Sequence, residues 1–161
     1  MRTAAPRRVA WIGRRKAMLM ETLYTAIATA TGGRAGHVES SDGALSVNLA
    51  QPKELGGSGG TGTNPEQMFA GGYAACFASA ALYQARLQKL TPGDVTVRAE
   101  VGIGPNGTAG FGLSIALDVT VSGLNQSAAQ RLVEDAHKVC PYSNATRGNI
   151  DVKITTHGEG K

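Results

Sequence analysis

The chain has 161 residues and carries 16 Lys and Arg against 12 Asp and Glu. Six of the basic residues precede the first acidic residue, Glu21, and the remaining 145 residues are close to neutral, with 10 basic and 12 acidic side chains. Because the basic charge is confined to one end and no run of about 18 apolar residues is present, composition argues against a nucleic-acid-binding domain and against a membrane-spanning protein.

Residues 1–17 form a basic extension ahead of the predicted single domain, residues 18–161. The apolar stretch of this extension, residues 9–12, is shorter than the roughly 7 to 15 residues of a secretory signal. We expect either a disordered segment or a start codon assigned too early, with Met18 or Met20 as the true beginning. An organelle transit peptide is the alternative.

Residues Thr22–Thr31 are rich in β-branched side chains and predict a strand that ends at Gly32-Gly33. The segment His37–Leu49 contains Ser41-Asp42-Gly43, a turn signal between two alternating apolar runs. We therefore predict a small antiparallel unit at this end of the domain.

A glycine-rich loop follows over residues 54–63 and contains a G-x-G-x-x-G pattern at Gly57, Gly59 and Gly62. No apolar strand leads into it, and no acidic residue lies near position 80 to bind a ribose. We interpret the segment as a flexible loop or a lid over a site rather than as a nucleotide-binding motif.

Asn64 and Pro65 predict the start of a helix, with Asn64 as its cap and Glu66 in its positive first turn. The helix is predicted to run from Pro65 to about Leu90. It is apolar around most of its middle, which is typical of a buried helix. We expect it to be the central helix of the fold.

Two strands are predicted next, Val95–Ile103 and Phe111–Val121, joined by a turn. An amphipathic helix then begins at Asn125 or Ser127 and is stopped by Pro141. Ile150–Thr155 alternates and predicts a last strand. This order favours an α+β fold with antiparallel sheets packed around a long buried helix.

The two cysteines, Cys76 and Cys140, are too few for the disulfide framework of a small secreted protein and favour a reducing compartment, so we predict a cytoplasmic protein. His137 and Cys140 stand three positions apart, which is half of a metal site, but structural zinc takes four ligands. We predict no metal and interpret His137 as lying on the exposed side of its helix. For Cys76, a small buried side chain without reactivity is the ordinary explanation.

The stretch from Leu23 to Thr155 resembles the organic hydroperoxide resistance (Ohr) branch of the OsmC/Ohr family. Four segments carry the resemblance: LYTAIATATGGR, ELGGSGGTGTNPEQMFAGGYAACF, VGIGPNGTAGFGL and HKVCPYSNATRGNIDV. The family resemblance implies an OsmC-like fold, an intertwined homodimer and a thiol peroxidase with no bound cofactor. It also implies an external dithiol reductant, a lipoyl group on a lipoylated protein.

By position, the resemblance makes Cys76 the peroxidatic cysteine and Cys140 the resolving cysteine. Arg34 matches the arginine that stabilises the thiolate, and Glu66 matches the carboxylate that pairs with it. A cation is needed because burial raises the pKa of a thiol, whereas only the thiolate is nucleophilic. The expected reaction takes an organic hydroperoxide to an alcohol through a Cys76 sulfenic acid and a Cys76–Cys140 disulfide.

Glu66 and Cys76 are about 15 Å apart along one continuous helix, too far to share one guanidinium. Either the helix breaks near Gly71-Gly72, or the Arg34–Glu66 pair meets Cys76 from a second subunit. The buried, glycine-bearing helix favours the second alternative, a composite site at a two-fold interface.

An apolar entrance would favour organic substrates over hydrogen peroxide, and aromatic and methionine side chains near the cysteines are candidates to line it: Met68, Phe69, Phe77, Phe111 and Tyr142. Two other functions stay open on the same fold. One is a non-enzymatic carrier of apolar ligands, and the other is a redox sensor whose disulfide alters a partner interaction.

Overall fold

The computed structural model describes residues 21–161, so the predicted extension over residues 1–17 lies outside the described residues. The helices and strands of the described part are, in chain order, β1 (Ala28–Thr31), β2 (His37–Ser40), β3 (Ser46–Asn48), α1 (Pro65–Leu87), β4 (Val95–Pro105), β5 (Phe111–Ser122), α2 (Gln126–Val139), α3 (Pro141–Thr146) and β6 (Val152–Glu159). The strands form two three-stranded sheets, β1-β2-β3 and β4-β5-β6.

The N-terminal sheet, β1-β2-β3, is antiparallel throughout. The predicted hairpin turn is confirmed, because the Asp42 carboxylate accepts hydrogen bonds from Ser40 Oγ at 2.6 Å and from the Ala44 backbone N–H at 3.0 Å. The strand predicted over Thr22–Thr31 forms only in its last four residues. Since β2 ends at Ser40, opposite Ala28, residues 21–27 have no strand beside them in the part of the chain that the structure describes.

The glycine-rich loop after β3 packs closely against the backbone that precedes it. A Cβ at Gly57 would lie 2.1 Å from the Gln51 carbonyl oxygen, and one at Gly62 would lie 2.6 Å from the Leu49 carbonyl carbon. Both contacts are closer than any side chain allows. At these two positions glycine is therefore required for backbone packing.

Helix α1 begins as predicted. The Asn64 side chain accepts a hydrogen bond from the Gln67 backbone N–H at 2.9 Å, and Pro65 occupies the first helical position. The helix then runs without interruption to Leu87, so it does not break at Gly71-Gly72.

The end of α1 falls three residues before the predicted Leu90, because the chain closes in a Schellman motif. Lys89 adopts a positive φ of 56°, and its N–H donates to the Arg86 carbonyl. The Leu90 N–H donates to the Ala85 carbonyl, which completes the motif. Because Lys89 occupies the left-handed position where glycine is usual, the sequence carries no signal that α1 ends here.

The second sheet pairs β4 with β5 antiparallel, as predicted, and β5 with β6 parallel. The parallel pairing differs from the expected antiparallel sheet. Its cause is the long connection between β5 and β6, which contains α2 and α3 and returns the chain in the same direction. The α+β class with a central helix is confirmed.

Helix α1 packs against β4 and α2, and α2 packs against β6. The largest fully buried apolar side chains come from α1, β5 and α2: Tyr73, Phe77, Leu117, Val119, Val121, Leu132 and Val133. Within residues 21–161 the other side of α1 is not covered, and Leu82, Tyr83 and Leu87 are 45%, 48% and 61% exposed. Among residues 21–161, the helices are all too short or too polar to cross a membrane.

Candidate active site

The two cysteines meet where the middle of α1 crosses the junction between α2 and α3. Cys76 is partly buried in α1, Cys140 is fully buried at the junction, and their sulfur atoms lie 3.6 Å apart. The Cys140 thiol is thus within hydrogen-bonding reach of the Cys76 sulfur. The structure brings together two side chains that are 64 positions apart in the sequence.

Pro141 creates the junction. It ends α2, as predicted, and it also occupies the first position of α3, a short helix that was not predicted. Cys140 between them has an extended backbone, with φ −60° and ψ 123°, and serves as the C-cap of one helix and the N-cap of the next. The turn in the chain directs its side chain into the core, against α1.

The electrostatic surroundings of Cys76 disfavour a thiolate within this chain. Burial is the largest influence and raises the pKa of the Cys76 thiol, the backbone N–H of Tyr142 acts in the opposite direction, and the neighbouring Cys140 raises it further. No cationic side chain among residues 21–161 of the same chain contributes to that pKa.

Arg34 and Glu66 form a two-pronged ion pair, as predicted. The Arg34 Nη1 and Nη2 atoms donate to Glu66 Oε2 and Oε1 at 2.8 and 2.7 Å. Arg34 lies on the 3-10 turn Gly33–Ala35 between β1 and β2, and Glu66 lies in the first turn of α1. The bidentate contact with the guanidinium lowers the pKa of Glu66 and raises that of Arg34.

This ion pair does not reach Cys76 along its own helix. Glu66 and Cys76 are ten residues apart on the uninterrupted α1, a separation of about 15 Å at 1.5 Å per residue. Of the two arrangements that the sequence left open, the broken helix is therefore not found.

Three of the five predicted substrate-binding residues line one apolar cavity of about 580 Å³. Met68, Phe69 and Tyr142 contribute to its wall, together with Pro65, Leu113, Ala145, Thr146, Asn149 and Ile150. The other two lie elsewhere. Phe77 is fully buried in the core against Tyr73 and His137, and Phe111 is 69% exposed at the start of β5.

A buried polar cluster beside the cysteines was missed in the sequence. Ser143 Oγ lies 2.9 Å from Tyr73 Oη and 3.0 Å from His137 Nδ1. His137, expected on the exposed side of its helix, is instead half-buried, and burial, with Arg147 nearby, lowers its pKa. Ser143, the partner of His137, lies 70 positions from Tyr73 in the sequence, a separation that no local pattern reveals.

No three histidine, cysteine or acidic side chains within residues 21–161 are grouped so that they could hold a metal ion. The chemistry that the described side chains offer at this place is that of two thiols in contact, with an arginine–carboxylate pair at the start of the same helix.

Comparison with known proteins places this geometry in a family. The OsmC-like protein family model matches residues 57–155. The organic hydroperoxide resistance protein of Xanthomonas axonopodis pv. citri is 56% identical over 136 residues, which cover 84% of this chain and 95% of that protein.

Two crystal structures are similar over most of their length. An organic hydroperoxide resistance protein OsmC from Legionella pneumophila is 54% identical with a TM-score of 0.82, covering 85% of this chain and 99% of that one. A protein from Vibrio cholerae, described as a putative organic hydroperoxide resistance protein with captopril bound in one of its active sites, is 53% identical with a TM-score of 0.81, covering 89% of this chain and 96% of that one. The chain therefore belongs to the OsmC/Ohr family, in its organic hydroperoxide resistance branch.

Proposed function

We propose that the protein is a cysteine-based peroxidase that reduces organic hydroperoxides to alcohols and so serves in resistance to them. Cys76 is the nucleophile and Cys140 resolves the oxidised intermediate. The observation that carries the proposal is the 3.6 Å separation of the two sulfur atoms inside an apolar core. The names of the relatives that are more than 50% identical support the same substrate class.

The reaction has two steps on the protein. The Cys76 thiolate attacks the distal oxygen of the hydroperoxide, the O–O bond breaks, and the alkoxide takes up a proton and leaves as an alcohol. Cys76 is then a sulfenic acid. The sulfur of Cys140 attacks it, the S–S bond forms, and the hydroxyl group leaves as water after the Cys140 proton is transferred.

An external dithiol returns the disulfide to two thiols by exchange and is itself oxidised to a disulfide. We propose a lipoyl group on a lipoylated protein as this donor. We also propose the cytoplasm as the compartment, because both thiols have to be regenerated by reduction.

The thiolate requires a cation, and we propose that Arg34 of a second subunit supplies it in a homodimer. Burial raises the pKa of Cys76, and the Arg34–Glu66 pair of the same chain lies about 15 Å away along α1. The uncovered face of α1, with Leu82, Tyr83 and Leu87 exposed, is a surface that a second copy would bury.

The preference for organic substrates is attributed to the cavity lined by Met68, Phe69 and Tyr142. Phe69 and Tyr142 pack with their ring centroids 5.8 Å apart, and Tyr142 directly follows the junction that holds Cys140. An alkyl chain there would be removed from water.

The test is to treat the reduced protein with less than one equivalent of cumene hydroperoxide and to map the products by mass spectrometry. Loss of both thiols with a Cys76–Cys140 link, and one cumyl alcohol per link, is the expected result. In Cys140→Ser the same treatment should give a Cys76 sulfenic acid that dimedone traps. Thiols that stay unreacted after minutes would overturn the proposal.

A further inference from the structure

A chain of three polar side chains joins the helices that carry the two cysteines. Tyr73 Oη lies 2.9 Å from Ser143 Oγ, and Ser143 Oγ lies 3.0 Å from His137 Nδ1. Tyr73 and Ser143 are both fully buried, and His137 borders a polar cavity of about 440 Å³. An unpaired hydroxyl at such depth is costly, so the arrangement of these hydrogen bonds is strongly constrained.

Each of these three residues lies three positions from a cysteine in the sequence. Tyr73 precedes Cys76 by one helical turn in α1, and His137 precedes Cys140 by one turn in α2. Ser143 follows Cys140 in the first turn of α3. The two hydrogen bonds therefore fix the first turn of α3 against both helices, next to the sulfur atoms.

That first turn places two groups near Cys76. One is the Cys140 sulfur, 3.6 Å from the Cys76 sulfur. The other is the backbone N–H of Tyr142, which lowers the pKa of the Cys76 thiol. Ser143 directly follows Tyr142 in the chain. A shift of Ser143 would therefore move both the resolving sulfur and the hydrogen-bond donor.

The direction of the two hydrogen bonds follows from the donors available. With His137 neutral and its Nδ1 unprotonated, the Tyr73 hydroxyl donates to Ser143 Oγ, and the Ser143 hydroxyl donates to Nδ1. Both buried protons then have acceptors. If Nδ1 carries a proton, it donates to Ser143 Oγ instead and can no longer accept a hydrogen bond from the serine hydroxyl.

We propose that Ser143, held between Tyr73 and His137, is a positioning residue that keeps the first turn of α3 in register with Cys76. The inference rests on the proposed peroxidase reaction for its functional consequence. When Ser143 holds this turn in place, the Cys76 sulfenic acid condenses with Cys140 before a second hydroperoxide oxidises it. When the turn is not held, more Cys76 is oxidised to the irreversible sulfinic and sulfonic acids.

Two pairs of variants separate positioning from folding. Ser143→Ala leaves the Tyr73 hydroxyl buried without a partner, whereas the double variant Tyr73→Phe/Ser143→Ala removes both hydroxyls and should regain most of the thermal stability. His137→Asn keeps an acceptor oxygen near the place of Nδ1, and His137→Leu removes it.

The first measurement needs no hydroperoxide. In a Cys140→Ser background, the rate of Cys76 alkylation by iodoacetamide is followed against pH. The double variant and His137→Leu should raise the pKa of Cys76 by up to about one unit, the equivalent of one hydrogen bond to a charged group, while His137→Asn stays close to the parent.

The second measurement treats the variants, with Cys140 intact, with a tenfold excess of cumene hydroperoxide and compares over-oxidised Cys76 with disulfide by intact mass. The double variant and His137→Leu should raise the over-oxidised fraction several-fold. If the double variant matches its reference in both measurements, Cys140→Ser for alkylation and the wild type for over-oxidation, Ser143 is only structural and the inference is wrong. If the wild type forms no disulfide, the proposed function fails and the alkylation pKa alone decides the positioning role.

Discussion

The N-terminal sheet and the body of the fold are stabilised in different ways. Of the sixteen buried apolar residues among residues 21–161, only Val38 and Leu49 belong to the part before α1, and the other fourteen lie in α1 and beyond. All four residues of β1 are exposed, and so are Leu23, Tyr24 and Ile27 before it. The body has a hydrophobic core of its own, whereas the N-terminal sheet has almost none among the described residues.

The candidate catalytic groups divide along the same line. Cys76 and Cys140 lie in the packed body, and Arg34 lies in the weakly packed N-terminal sheet, fastened to α1 through Glu66. A three-stranded sheet needs a covered apolar face for independent stability. We therefore expect the N-terminal sheet to be completed by another copy of the chain, and its arginine to act there.

The largest effect is expected from removing a candidate catalytic side chain from either region. Cys76→Ser should abolish hydroperoxide consumption, and Arg34→Ala should lower it by about 10²- to 10³-fold, the usual cost of removing one stabilising group from an active site. Mixed and re-annealed, the two inactive variants should regain up to one working site per heterodimer. Activity is followed by loss of cumene hydroperoxide with a dithiol present. Verified heterodimers without activity would contradict a shared site.

The next effect compares the stability of the two regions. Leu132 is fully buried in the body, and Leu132→Ala should lower the free energy of unfolding by about 2–5 kcal/mol. Val38→Ala in the N-terminal sheet removes two methylene-sized groups from a site that is 9% exposed and should cost at most about 1.5 kcal/mol. Urea unfolding at one protein concentration measures both. A larger loss for Val38→Ala would mean that the sheet is the better packed region.

Acid should weaken the Arg34–Glu66 ion pair that joins the two regions. The pKa of Glu66 is lowered in the folded chain, so its ion pair with Arg34 stabilises the fold above the ordinary carboxyl pKa near 4.5. This contribution is lost as the pH falls below that value. Because the pair is partly exposed, we expect less than about 1 kcal/mol. Urea unfolding between pH 3 and 6 should show a smaller acid loss for Glu66→Gln than for the wild type.

The smallest effect concerns the body alone. His137 has a lowered pKa because of its burial and of the nearby Arg147, and Asp151 lines the same cavity. The unfolded chain takes up this proton first, so stability should fall slightly as the pH drops below about 6.5, by less than about 1 kcal/mol. His137→Asn should remove this change between pH 7 and 5. An unchanged slope would show that His137 does not titrate in this range.

Sequence predicted the elements whose signals are local. Asn64-Pro65 correctly marked the start of α1, and the turn at Asp42 was recognised from its composition. The stop at Lys89 and the six-residue helix α3 were missed, because a lysine in a left-handed conformation and a short polar helix after proline carry no distinctive pattern.

The site was predicted less evenly. The Arg34–Glu66 pairing came from the family resemblance, since residues 32 positions apart give no spacing signal, and the structure contains that pair. The roles of Cys76 and Cys140 stay predictions. The Tyr73–Ser143–His137 contacts depend on how three helices meet, and only tertiary structure reveals them.

The junction at Cys140 has a mechanical consequence. Two sulfur atoms at 3.6 Å have to approach by only about 1.5 Å to form a covalent bond, a distance within reach of side-chain rotation. Because Cys140 already lies between two helices rather than inside one, no helical turn has to unwind to release it. In the proposed reaction, oxidation and reduction of the two thiols would therefore require no unfolding of either helix.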